Sequence, residues 1–156
     1  MIDWSRIDTV ILDMDGTVLD LHFDNQFWMQ YLPTVYAERR GLPREQGLTE
    51  LLTQFAAHQG SLNWYCTDFW SEKVGFDVAA LKPDLKHLIR ERSDAFSFLA
   101  AVKASGRSLW LATNAHRASL EVKLAEIAFG HHFDVMVSSH DYGAPKEDQY
   151  FWQALQ

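Results

Sequence analysis

The sequence predicts an α/β protein: a parallel sheet interrupted by a block of helices. Three observations carry this reading. First, residues 9–13 ("TVILD"), 108–113 ("SLWLAT") and 133–139 ("FDVMVSS") are short, β-rich apolar runs of the kind that forms buried strands. Second, helical patterns sit between the later runs. Residues 94–105 precede the second run and stop at Gly106; residues 117–128 place Leu120, Leu124, Ile127 and Ala128 on one face and stop at Gly130. Helix–strand–helix–strand order implies right-handed crossovers and parallel pairing. Third, residues 22–90 contain no convincing strand, only apolar spacings of three and four: Phe27, Tyr31, Val35; Leu48, Leu51, Leu52, Phe55; Tyr65, Phe69, Trp70. Breaks are expected near Pro33, Gly41-Leu42-Pro43, Gly60 and Gly75. The division is thus a sheet-bearing core over 1–21 and 91–156, with a helical insertion over 22–90.

Composition narrows the function. Hydrophobic residues make up 47% of the 156-residue chain and aromatics 13%, too many for a disordered protein. One cysteine, Cys66, excludes a disulfide framework and a multi-cysteine metal site; packing is its expected role. A net charge of −7 argues against nucleic acid, which needs clustered Lys and Arg. No signal peptide and no run of roughly 20 apolar residues is visible, so the expected setting is cytoplasmic, away from membranes. An acidic protein can still bind a small phosphate if it supplies a local cation.

Chemistry is concentrated where the predicted strands end. Asp13 and Asp15 straddle Met14 at the end of the first. In extended chain, residues two apart project to one side, and the carboxyl edge of an open parallel sheet is where ligands bind. Gly16 lets the backbone turn and approach a ligand. Such a pair can hold Mg²⁺ through oxygen ligands, or divide nucleophilic and proton-transfer duties. A bare Asp-x-Asp-Gly equally serves as a strand followed by an Asp-Gly turn. Two more features tip the balance. Thr113 and Asn114 end the second strand, offering a hydroxyl and N–H groups to phosphate. Lys146 follows the third after Gly-Ala-Pro, at a predicted helix start. Each is weak alone; the three in order form a constellation.

The stretches "DMDGT", "ATNAH" and "PKEDQ" resemble the three leading motifs of the haloacid dehalogenase-like (HAD) hydrolases. "LDLHFDNQFW", "TNAHR" and "SSHDYGAPKED" look like the bacterial purine 5′-monophosphate (GMP/IMP) nucleotidases within them. The resemblance implies a Rossmann-like core with a helical cap. It also implies Asp13 as nucleophile through an aspartyl-phosphate, Asp15 as general acid then base, and Thr113 and Lys146 as phosphate-holding residues. Mg²⁺ would rest on the Asp13 carboxylate and the Asp15 carbonyl. Gly16, Thr17, Asn114, Asp24 and Asn25 are the candidate substrate-binding residues. Phe27 and Trp28 are placed either to face the cleft or to build the cap's core; His116 and Arg117 could touch phosphate or simply start a helix. The implied partner is a small phosphorylated metabolite.

Two departures qualify this. Glu147 rather than proline follows Lys146, which fits the nucleotidase-like subgroup. The superfamily's fourth motif, an acidic pair after a fourth core strand, has no match. The expectation is therefore a C-terminally truncated core lacking strands 4 and 5, from a protein of roughly 200 residues or more. Its first strand would carry a bare edge prone to dimerisation or aggregation. A sugar-phosphate phosphatase or mutase on the same scaffold, or an inactive phosphate-binding module, are the alternatives. A receiver domain would not place so long a helical segment after its first acidic strand.

Overall fold

The computed structural model describes residues 2–156. Its sheet has three strands, β1 (Thr9–Leu12), β2 (Ser108–Thr113) and β3 (Val135–Ser138), in the order β1-β2-β3 and parallel throughout. Thr9 pairs with Ser108 and Leu12 with Leu111; Trp110 pairs with Val135 and Thr113 with Ser138. In register, all three strands therefore end at one edge.

The period-two rule assigns the faces. Leu109 and Leu111 point into a cluster with Met14, Val18, Leu99, Leu120 and Phe129. Ala112 joins Val137, Ala144, Phe151 and Leu155 on the opposite face. Helix α6 (Ala95–Ala104) and α7 (Arg117–Glu126) pack on the first side, and the short α8 (Gln149–Leu155) on the second. Among the described residues β1 has β2 as its one hydrogen-bonded neighbour, and Ile11 is left 41% exposed.

Between β1 and α6 the chain leaves the sheet through a neck. The Asp20 N–H donates to the Arg90 carbonyl at 3.0 Å and the Arg92 N–H to the Val18 carbonyl at 3.0 Å. Beyond it lie α1 (His22–Gln26), α2 (Leu32–Arg40), α3 (Arg44–His58), α4 (Leu62–Tyr65) and α5 (Thr67–Val74), then a 3₁₀ stretch, Ala79–Leu88. Their shared core is aromatic: Phe27, Phe55 and Trp70 lie inside with Leu32, Tyr36 and Leu51. Phe55 and Trp70 meet edge to face at 4.6 Å, the favourable geometry for ring quadrupoles. Gly47 permits the close approach of α2 and α3, since a Cβ there would come within 2.5 Å of the Ala37 Cβ.

Two expectations are corrected. Pro33 does not break its helix. Residues 22–40 run on through a π-helical turn, Phe27–Tyr31, immediately ahead of it. Pro33 has no N–H to bond the Met29 carbonyl, and the widened turn absorbs that loss. Lys146 is likewise not at a helix start: α8 begins at Gln149, capped by the Asp148 carboxylate accepting from the Tyr150 N–H. The competing Asx cap moved the helix boundary past the lysine.

Candidate active site

A cavity of about 490 Å³ opens where the strands end, between the sheet and the helical insertion. Asp13, Asp15, Thr113, Asn114 and Lys146 line it from the core; Asp24, Asn25, Trp28, Met29, Phe55, Trp64 and Tyr65 line it from the insertion. The four residues expected to carry chemistry are thus brought together.

Asp13 follows β1 directly. Its Oδ1 accepts from the Met14 N–H at 2.7 Å and pairs with Lys146 Nζ at 2.8 Å; no described residue hydrogen-bonds Oδ2. Lys146 Nζ also donates to the Ala112 carbonyl at 2.9 Å, which aims it across the strand ends. The Asn114 side chain fixes the loop around it, accepting from the Lys146 N–H at 2.8 Å and donating to Glu147 at 2.9 Å. Glu147 in turn accepts from the Tyr65 hydroxyl at 2.6 Å, tying the insertion to the core at the rim. Thr113, 1% exposed, accepts the Ala115 N–H through its hydroxyl, which curls the loop after β2 toward the cavity.

Asp15 has a partner that the sequence reading passed over. Lys123, on α7, is 1% exposed and donates to Asp15 Oδ1 at 2.5 Å and to Asp24 Oδ2 at 2.7 Å. Burial pushes the Asp15 carboxyl up, Lys123 pulls it down and Asp24 pushes it up again, leaving it at about 6. A carboxyl there exists in both protonation states near neutrality. Asp24 lines the cavity but its carboxylate is engaged by Lys123, whereas Asn25 is exposed on the same wall. The signal for Lys123 was present: a lysine within the apolar stripe of Leu120 and Leu124.

Other candidates fall elsewhere. Gly16 adopts φ +78°, a left-handed turn suited to glycine, but Gly16 and Thr17 line a separate groove with Leu12, Arg92 and Phe98. Phe27 is fully buried in the insertion's core, while Trp28 reaches both that core and the cavity. His116 bonds Thr67, Arg117 pairs with Asp141, and neither lines the cavity. Cys66 is half-buried and caps α5, its Sγ accepting from the Phe69 N–H, where hydrophobic packing was expected; α5 starts there and needs an acceptor.

Asp13 and Asp15 bring carboxylate oxygens to the cavity, and the Asp13 Oδ2 has no hydrogen-bond donor among the described residues. That chemistry suits a hard cation such as Mg²⁺.

The sequence matches the family model of the haloacid dehalogenase-like hydrolases over residues 7–155. The chain belongs to this family. It is an enzyme of the hydrolase class. GMP/IMP nucleotidase YrfG of Escherichia coli (strain K12) is 42% identical over 154 residues, which cover 99% of this chain and 69% of that protein. A HAD phosphatase from Thermococcus onnurineus shares the fold at a TM-score of 0.81 and 21% identity, over 95% of this chain and 69% of that one. The HAD-hydrolase YfnB from Bacillus subtilis, bound to magnesium, does so at 0.61 and 17% identity, over 96% and 73%. No helix among the described residues is long and apolar enough to cross a membrane.

Proposed function

We propose that this hydrolase is a Mg²⁺-dependent phosphomonoesterase acting on purine nucleoside 5′-monophosphates, with the helical insertion as its cap. The observation that carries the reading is the convergence of Asp13, Asp15, Thr113 and Lys146 on one cavity, with Lys146 Nζ 2.8 Å from the Asp13 carboxylate.

Asp13 attacks phosphorus as the bond to the ribose 5′-oxygen breaks, and Asp15 gives that oxygen its proton. Asp15, now a carboxylate, takes a proton from water; the water oxygen attacks phosphorus, and cleavage of the acyl-phosphate returns Asp13 and releases inorganic phosphate. Lys146 and the loop of Thr113 and Asn114 hold phosphoryl oxygens and offset charge as it develops. The Asp13 carboxylate and the Asp15 carbonyl would hold Mg²⁺, which supplies further positive charge to those oxygens when bound. Lys123 keeps Asp15 in place and Asp24 tethered to α7.

The preference for a purine rests on the cavity's outer wall. Trp28, Trp64 and Tyr65 present aromatic surface on which a flat base can stack, and Asn25 offers an amide that both donates and accepts. The 42% identical relative carries a GMP/IMP nucleotidase name, which agrees with that wall.

Phosphate release from GMP, IMP, AMP and several sugar phosphates, with Mg²⁺ and with EDTA, tests the reading. Mg²⁺-dependent turnover fastest on GMP or IMP, and abolished in Asp13→Asn, is the expected result. Faster turnover of sugar phosphates would transfer the reading to that substrate class, and silence across the panel would overturn the catalytic assignment.

A further inference from the structure

A second cluster of metal-ligating side chains lies apart from the carboxylates. Cys66, His116 and His140 each bring one ligand atom to within 4.8 Å of the others, and all three are half-buried. They come from three separate segments. Cys66 opens α5 in the insertion, His116 caps α7 in the core, and His140 sits in the 3₁₀ turn Ser139–Asp141 after β3. The two imidazoles meet edge to face at 4.7 Å.

A structural role explains two members and leaves the third unexplained. Cys66 Sγ accepts from the Phe69 N–H at 3.4 Å, and His116 Nδ1 is 2.8 Å from the Thr67 hydroxyl. His140 Nε2, by contrast, is buried without a hydrogen-bond partner among the described residues. A buried ring nitrogen with nothing to bond is costly, and an ion is one of the few things that would satisfy it.

We propose that Cys66, His116 and His140 form a binding site for a borderline-soft divalent cation, Zn²⁺, which joins the helical insertion to the core. One thiolate and two imidazoles suit Zn²⁺ and not Mg²⁺, which requires oxygens. A tetrahedral Zn²⁺ holds such atoms about 3.3–3.8 Å apart, so the trio must draw together by about 1 Å. The fourth position goes to water or to Asp68, whose Oδ2 lies 3.6 Å from His116 Nε2. The site is independent of the phosphatase reading, because none of the three residues lines the cavity or touches Asp13 or Asp15.

The test is direct titration with Zn²⁺, and with Co²⁺ as a spectroscopic probe, in the presence of excess Mg²⁺. The wild-type chain is compared with Cys66→Ser, Cys66→Ala, His140→Gln and, as control for the catalytic carboxylates, Asp13→Asn. One equivalent is expected to bind, with a thiolate-to-cobalt charge-transfer band. Affinity should fall at least about 10- to 100-fold in each cluster variant and stay unchanged in Asp13→Asn. Binding should also slow hydrogen exchange in Thr67–Val74, whose first turn would then be anchored across the interface. Absence of stoichiometric binding to the folded wild type overturns the proposal. So does binding without the thiolate band, or loss of binding in Asp13→Asn with retention in Cys66→Ser. Should one cysteine variant fail to fold, the other and His140→Gln decide.

Discussion

Lys123 stands between the carboxylates of Asp15 and Asp24, and the three form a partly buried ion cluster. Removing the lysine leaves two acidic groups without their counter-charge, which costs about 3–5 kcal/mol when such pairs are buried. Lys123→Met is therefore expected to destabilise the chain by about 3 kcal/mol in urea titrations. Adding Asp24→Leu should restore part of that loss; no recovery would show that Asp24 is not bound energetically to Lys123. Lys82 is a second misfit. It is fully buried, and its Nζ, without a hydrogen-bond partner among the described residues, lies 4.1 Å from the Phe27 ring centroid and 4.7 Å from that of Trp28. Burial, opposed by Asp24 and reinforced by Lys123, lowers its pKa from 10.5 to about 7. Between those values the unfolded chain holds a proton that the folded chain lacks, so stability should rise with pH by up to about 1.4 kcal/mol per unit. Lys82→Met should flatten that slope; an unchanged slope would assign it to other groups. The convergence of Asp13, Asp15, Thr113 and Lys146 was legible in the sequence because each sits at the end of a strand or in the loop that follows it, where local pattern fixes position. Lys123 carried a local signal, a lysine within an apolar stripe, but its partners Asp15 and Asp24 lie 108 and 99 residues away, so the pairing itself leaves no local trace.

At the scale of elements, the helices and strands followed their periodicities, and the misses came from turns. The π-helical turn before Pro33 places Trp28 and Met29 at the cavity, though proline reads as a stop in sequence. If Trp28 stacks on the base, Trp28→Ala should raise KM for GMP about 5- to 150-fold, equivalent to the ~1–3 kcal/mol of base–aromatic stacking. It should leave KM for ribose 5-phosphate nearly unchanged, since that substrate has no base. Equal losses on both would point to a collapsed wall. Among the described residues no strand pairs with the outer side of β1; Ile11 on that strand is 41% exposed and Phe98 beside it 43%. Edge strands of this kind pair with one another unless charged. Sedimentation velocity should accordingly show concentration-dependent association, reduced in Ile11→Lys. A monomer at every concentration would remove the edge as an association site.

For the molecule as a whole, an overall charge of −7 and a phosphate-handling site coexist because positive charge is local. Lys146 pairs with Asp13, and the buried Lys123 with Asp15 and Asp24, so each cation stands beside carboxylates of the cavity. The alternation of strands and helices, with a helical block after the first strand, was enough to anticipate three parallel strands and a cavity at their carboxyl ends. That Asp24, Asn25 and Trp28 face the cleft was anticipated, but the single long-range bonds that join insertion to core, such as Tyr65 to Glu147 and Thr67 to His116, were not. In the proposed mechanism all of this geometry bears on one chemical event, transfer of a phosphoryl group to Asp13. Acid quenching during turnover of GMP with Mg²⁺, followed by peptide mass spectrometry, measures that event. One hydroxylamine-sensitive phosphoryl group on the peptide bearing Asp13, absent in Asp13→Asn, is the result expected. Turnover with no phosphoryl group on that peptide, or with turnover intact in Asp13→Asn, would contradict it.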